Sequence, residues 1–199
     1  MAEAQQYVTS QLFGGAMSVE LPEGMSDVSD LRQVPDHQEV FAHSVSPFSV
    51  IIELAERVKP EDAGSADGKE DADSKCALYH LEEICRLGGD TYEILEDIHP
   101  VKLSKIDAPA FAADARFKSA AKPSQSAGTA AGIRGALTEK SDATQFLLIR
   151  LKEQTTDIVV TITLDEGEPE EADKMRRKCA GYMAHIQETL QIHDWKLFG

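Results

Sequence analysis

The chain has 199 residues, of which 42% are hydrophobic and only 6% aromatic. This length and composition predict one globular domain with a mainly aliphatic core. The 35 acidic and 20 basic residues leave a formal net charge of -15 at pH 7, which argues against binding nucleic acid or an anionic membrane through a general basic surface. The charge favours a basic partner, while acidity that serves solubility alone is an equally good explanation.

The three cysteines are not spaced as a disulfide scaffold or a Cys-x-x-Cys motif: Cys76, Cys85 and Cys179. The polar N-terminus, residues 1–11, lacks the apolar core of a signal peptide. No apolar run approaches the roughly 18 to 20 residues that span a membrane. The sequence therefore predicts a soluble intracellular protein in a reducing compartment.

The N-terminal third begins with a predicted loose tail over residues 1–11. Residues 12–15, Leu-Phe-Gly-Gly, combine two apolar anchors with two glycines at which the backbone can turn sharply. Residues 16–21 and 39–44 follow the patterns of short strands. The domain proper is therefore expected to cover residues 12–199.

Between these strands, residues 27–41 concentrate four carboxylates and one arginine: Asp27, Asp30, Arg32, Asp36 and Glu39. Ser26 or Asp27 is suited to cap a short helical turn that ends before Pro35. Charges at this density are costly to bury, and the segment has no nucleophile–base motif or metal-ligand spacing. We therefore interpret it as a surface that binds another protein.

The middle of the chain is less clear. Apolar residues at helical spacing predict a helix over residues 49–58, and the acidic segment 60–75 is predicted to be a mobile loop. Residues 77–87 fit either a helix or a strand, and residues 92–101 fit a strand. The alanine-rich segment 110–122 is predicted to be a helix.

The C-terminal third is expected to contain a loop over residues 123–128, strands over 132–137, 145–152 and 158–164, and a helix from Pro169 to about residue 192. Apolar residues on both faces of the second strand indicate that it is covered on both sides. The short connection to the next strand makes this pair antiparallel. Together these elements predict an α+β fold, with a mainly antiparallel sheet and helices packed against it.

Several of these segments, in the same order, resemble the Mog family of Ran guanine-nucleotide release factors. The longest match is residues 27–41, which follow the pattern Asp-x-Ser-x-Leu-Arg-x-Val-Pro-Asp-x-Gln-Glu-Val-aromatic. The others are residues 12–16, 79–83, 136–164 and 193–198. His37 and Gln33 depart from the family pattern, although neither removes a carboxylate.

The resemblance implies a curved antiparallel sheet flanked by helices, as in the PsbP proteins, and favours a strand over residues 79–82. It also implies that the protein binds the small GTPase Ran, promotes release of its nucleotide, chiefly GTP, and acts in nuclear protein import. Asp36 and Glu39 match the family positions associated with Ran binding, so we expect them to contact Ran. Asp27, Asp30 and Arg32 are expected at the rim, where Arg32 could equally brace a neighbouring carboxylate.

These implications define a regulatory protein of the nucleus and cytoplasm. We expect a monomer without a cofactor, a metal, a nucleic-acid partner or a membrane partner. Two alternatives stay open. One is a binding scaffold without release activity; the other, which the exposed turn disfavours, is an enzyme using Asp36, His37 and Glu39 as acid–base groups. For Asp36 the plain structural alternative is a turn residue after proline.

Overall fold

The computed structural model describes residues 5–29, 34–46, 48–65, 71–119, 140–165 and 169–199. Within these ranges the chain forms ten strands and two α-helices. The strands are β1 (Tyr7–Leu12), β2 (Met17–Pro22), β3 (Met25–Asp27), β4 (Gln38–His43), β5 (Phe48–Glu56), β6 (Asp90–Val101), β7 (Ala110–Ser119), β8 (Lys140–Leu151), β9 (Thr156–Asp165) and β10 (Gln191–Ile192). The helices are α1 (Ala72–Gly88) and α2 (Pro169–Thr189).

The strands form two antiparallel sheets. The larger has seven strands in the order β3-β4-β5-β9-β8-β7-β6, and the smaller has three in the order β1-β2-β10. All the strand pairs in both are antiparallel. The predicted α+β fold with a mainly antiparallel sheet is confirmed.

The large sheet is covered on both faces. Ile158, Val160 and Ile162 of β9 belong to a core cluster with α2 and the small sheet. Val159, on the opposite face, belongs to a second cluster with α1. Burial of an aliphatic side chain contributes about 1.5–3 kcal/mol, so two buried faces make the central strands the most stable part of the sheet.

Five of the predicted strands are confirmed: residues 16–21, 39–44, 92–101, 145–152 and 158–164. The predicted helix begins at Pro169 as expected. It ends at Thr189 rather than near residue 192, because Gln191–Ile192 pairs with β2.

The helix predicted over residues 49–58 is wrong, since this segment is β5. Val50 and Ile52 are buried on one face, while Ile51 lies on the other face of the sheet. A strand with apolar residues on both faces loses its simple alternation and mimics helical spacing. The β-branched residues Val50, Ile51 and Ile52 are consistent with the strand.

The helix predicted over residues 110–122 is also wrong, because Ala110–Ser119 is strand β7. Ala110, Ala112, Ala113 and Ala115 are all buried in the sheet. Packing in the sheet overrides the helical preference of alanine. The rest of that prediction, the loop at 123–128 and the strand at 132–137 lie outside the described residues.

Residues 77–87 are helical, so the strand that the resemblance favoured over residues 79–82 is wrong. Cys76, Ala77, His80, Leu81 and Cys85 form the buried stripe of α1. The helix ends at Gly88 and is capped by Gly89, whose φ of 73° lies in the left-handed region. Because α1 already begins at Ala72, the predicted loop over 60–75 is shorter than expected, and residues 66–70 lie outside the described part.

The tail predicted over residues 1–11 is wrong from Tyr7 onwards. Tyr7–Leu12 is strand β1, paired along its full length with β2. The ring of Tyr7 stacks on His185 of α2, with ring centroids 3.6 Å apart. In the described part of the chain, neither helix is long and apolar enough to cross a membrane.

Candidate functional site

The described parts of the acidic segment lie at one side of the large sheet, in the edge strand β3 and in its neighbour β4. Asp27 ends β3 and lies opposite Phe41 of β4. The side chain of Asp27 accepts a hydrogen bond from the Ser29 N–H at 2.9 Å, and the Ser29 hydroxyl accepts one from Val40 N–H at 3.0 Å. Asp27 therefore caps the chain as it leaves β3, as expected from its residue type.

Asp36 lies at the tip of the turn that leads into β4. The Gln38 N–H donates to the Pro35 carbonyl at 2.9 Å and closes the turn. The His37 carbonyl accepts from the Leu54 N–H at 2.8 Å, which ties the turn to β5. Asp36 itself is exposed, and its carboxylate has no hydrogen-bond or ion-pair partner among the described residues. A rigid turn thus presents a free carboxylate to solvent.

Neighbouring residues of β4 point to opposite faces of the sheet. Glu39 lies opposite Ile52, whose side chain belongs to the core shared with α2. Asp27 points to the same face, because its partner Phe41 is two residues beyond Glu39. Gln38 lies opposite Glu53 on the other face. Asp27 and Glu39 therefore share one surface.

Glu39 has an internal partner that the sequence does not reveal. Its Oε1 accepts a short hydrogen bond from the backbone N–H of Phe13. Phe13, Gly14 and Gly15 form a single 3-10 turn, and their φ angles of 49°, 65° and 92° are all left-handed. A left-handed backbone is costly for a residue with a side chain, so the hydrogen bond from Phe13 helps to hold this turn.

The environment of Glu39 is reflected in its pKa. Burial is the largest influence and raises the pKa of the carboxyl; the hydrogen bond from Phe13 opposes it, and the charge of Asp27 adds to the rise. Glu39 is therefore a half-buried brace for the turn as well as a candidate contact. The signal available in the sequence was the Phe-Gly-Gly motif, but its partner lies 26 residues away.

The segment that follows β10 meets the chain just beyond this turn. The carbonyl of Ala16 accepts hydrogen bonds from the N–H groups of His193 and Asp194, at 2.8 and 3.1 Å. The Nε2 of His193 lies 2.7 Å from the hydroxyl of Ser18. Glu39 and the C-terminal segment thus hold the turn at Phe13–Gly15 from two sides.

Two of the remaining predicted site residues, Asp30 and Arg32, lie outside the described residues. His37 is exposed, with Nε2 3.7 Å from the Glu53 carboxylate. That separation, on an open turn, is typical of a surface ion pair of little energetic weight.

A second polar cluster lies between α1 and the sheet. The buried Arg150 and Asp157 face each other across β8 and β9, with Nε and Oδ1 3.3 Å apart. His80 Nε2 is 2.9 Å from Asp157 Oδ2. The Nη1 of Arg150 is 2.8 Å from Asp73, a charge contact rather than an aligned hydrogen bond.

This cluster joins the helix to the sheet through paired charges, as buried charges require. His80 makes a structural hydrogen bond to Asp157, while Glu82 accepts from the Tyr92 hydroxyl at 2.9 Å. Within the described ranges, no group of three or more His, Cys, Asp or Glu residues is arranged to hold a metal ion.

Comparisons with known proteins agree with this architecture. The profile of the family described as "Ran-interacting Mog1 protein" matches residues 10–165. The chain is 30% identical to the Ran guanine nucleotide release factor of Bos taurus, over 94% of this chain and 95% of that protein. It is 25% identical to the nuclear import protein MOG1 of Saccharomyces cerevisiae, over 94% of this chain and 83% of that protein.

A solved structure of the Saccharomyces cerevisiae Ran-binding protein Mog1p superposes with a TM-score of 0.67, covering 98% of this chain and all of that one at 22% identity. At that identity the superposition establishes the fold alone. The family assignment rests on the profile, which spans the acidic segment, and on the full-length relatives. The protein belongs to the Mog1 family.

Proposed function

We propose that this protein binds the small GTPase Ran and promotes release of its bound nucleotide, in support of nuclear protein import. The observation that carries the proposal is the free carboxylate of Asp36 on a turn fixed to the sheet. Relatives that align over nearly the whole chain are named as Ran guanine nucleotide release factors and nuclear import proteins. The name "nuclear import protein" supports a role in nuclear transport, and we propose that the protein acts in the nucleus and the cytoplasm.

The chemistry required of a release factor is modest. A GTPase holds its nucleotide with a P-loop lysine, Mg²⁺ and backbone N–H groups around the phosphates. A protein that binds the nucleotide-free form more tightly than the loaded form weakens nucleotide binding by the ratio of those two affinities. A carboxylate achieves this by pairing with a basic group that the phosphates have left, and such charge-assisted pairs are strong.

Asp36 and Glu39 have different parts in this proposal. Asp36 needs no rearrangement before it meets a basic group of Ran, because nothing in the described protein holds its carboxylate. Glu39 is partly engaged by Phe13, and its remaining oxygen is the candidate contact. Asp27 lies on the same face and adds negative potential, which increases the rate of encounter with a basic surface.

The test is release of labelled GTP from Ran in the presence of wild-type protein, Asp36→Ala and Glu39→Ala. Removing one partner of an interfacial charge pair typically costs about 2–5 kcal/mol, so we expect each variant to need at least 10 times more protein for half-maximal release. Asp97→Ala is the matched control. Asp97 is an exposed carboxylate on β6, at the far edge of the sheet, about 24 Å away at normal strand spacing.

Undiminished release by both Asp36→Ala and Glu39→Ala would remove them from the mechanism. Binding to nucleotide-free, GDP-loaded and GTP-loaded Ran separates a release factor from a scaffold. A release factor binds the nucleotide-free form most tightly. Equal binding to all three forms would contradict release activity and support the scaffold.

A further inference from the structure

The C-terminal segment carries an exposed aromatic residue close to the carboxylates. Trp195 is 48% exposed, although tryptophan is largely buried in most proteins. It begins a 3-10 helix, Trp195–Phe198, whose first turn is capped by the Asp194 side chain through the Lys196 N–H. Leu197 and Phe198 pack against the main core.

The exposed position of Trp195 is therefore fixed. The ring of Phe198 supports it, with ring centroids 5.9 Å apart. The two residues before it, His193 and Asp194, are hydrogen-bonded to Ala16. A rigidly held aromatic ring loses little conformational entropy when a partner covers it, which is the property of an interface anchor.

Trp195 is close enough to Glu39 for a single partner to cover both residues. The path from the Glu39 carboxylate runs through the N–H of Phe13 to Ala16, then through Asp194 to Trp195. Hydrogen-bond and backbone lengths limit this path to roughly 20 Å. A standard interface covers about 800 Å² of each partner, a patch roughly 30 Å across.

We propose that Trp195 is an aromatic anchor of the surface that also contains Asp36 and Glu39, and that it covers an apolar side chain beside the basic residues of Ran. The inference rests on the proposed function and adds an apolar contact to a surface so far defined by carboxylates. Tryptophan is among the residues most enriched at interface hot spots, which cluster near the centre of an interface.

The test uses the fact that the chain contains a single tryptophan. The protein is prepared with 5-fluorotryptophan, so that one fluorine resonance reports on Trp195. Unlabelled nucleotide-free Ran is added while calorimetry under the same conditions measures binding. We expect the resonance to shift, and its solvent isotope effect to fall as the ring leaves water.

Substitutions give the energetic counterpart. Trp195→Ala is expected to weaken Ran binding about 30-fold, as loss of a hot spot does, and Trp195→Phe to recover most of that loss. Tyr79→Ala is the control, because Tyr79 is a 39% exposed aromatic residue on α1, which packs on the opposite face of the sheet. Its affinity should stay within twofold of wild type. Equal melting temperatures of the variants exclude a folding defect.

The outcomes separate the two proposals. Calorimetric binding with an unchanged fluorine resonance, or wild-type affinity of Trp195→Ala, would overturn the role of Trp195 and leave the proposed function standing. Absence of any binding heat with wild-type protein would overturn both.

Discussion

Replacement of Glu39 by alanine tests whether this residue is a structural brace as well as a contact. The substitution removes the acceptor for the Phe13 N–H and leaves that donor without its partner. The turn that depends on it has three consecutive left-handed residues, of which Phe13 is the one with a side chain. Glu39→Ala should therefore destabilise the fold, which a residue that serves only as a contact would not do.

The size of the effect follows from the hydrogen bond. A bond to a charged acceptor contributes about 1.5–3 kcal/mol, and we take about 1–2 kcal/mol because the carboxyl is itself half-buried and partly desolvated. For a protein of this size each kcal/mol lowers the melting temperature by about 2–4 °C. The expected decrease is therefore about 2–8 °C.

Urea unfolding followed by circular dichroism measures this directly, with an unchanged slope as the sign that the unfolded state is unaffected. Asp36→Ala is the matched comparison, since it removes an exposed carboxylate from the same segment. It should change stability by less than about 0.5 kcal/mol. A Glu39→Ala variant with the wild-type midpoint would refute the assignment of Glu39 as a brace.

Two further predictions concern ionised groups. The pKa of Glu39 in the folded protein is raised above its usual 4.5, so protonation of Glu39 stabilises the fold below about pH 4.5, and this contribution is lost as pH rises through the folded pKa. The stability of the wild type relative to Glu39→Gln should therefore decrease as pH rises from 4.5 through the folded pKa. A difference that does not change with pH would contradict the shift. Asp157→Ala leaves the buried Arg150 and His80 without their shared partner, so we expect the free energy of unfolding in urea to fall by about 3–5 kcal/mol. Wild-type stability of this variant would show that the cluster does not join α1 to the sheet.

The sequence predicts the elements in which local pattern and tertiary packing agree. The strand pair β8–β9 and helix α2 are of this kind, because their apolar periodicity matches the faces that they bury. Prediction fails at β5 and β7, where packing decides between two readings of one pattern. Val50 and Leu54 fit a helix as well as a strand, and alanine prefers a helix unless a sheet buries it.

In the candidate site, too, features set by the local sequence are predictable and features set by tertiary packing are not. Asp36 is predictable as an exposed charge, because Pro35 and a dense run of carboxylates indicate a turn at the surface. The bond between Glu39 and Phe13 is not predictable, since it joins segments that meet only when β4 and the β1–β2 connection come together. Pairing of this kind is a property of the fold rather than of any local segment.

The junction between the C-terminal segment and the turn at Phe13–Gly15 also has a consequence for protein synthesis. Ser18 and His193, which meet there, are 175 residues apart in the chain. At about 5–20 residues per second, translation of that interval takes roughly 10–35 s. The hydrogen bonds from His193 and Asp194 to the carbonyl of Ala16 cannot form before that interval has been translated. We therefore expect nascent chains that lack these two residues to hold the turn at Phe13–Gly15 through Glu39 without the C-terminal bonds.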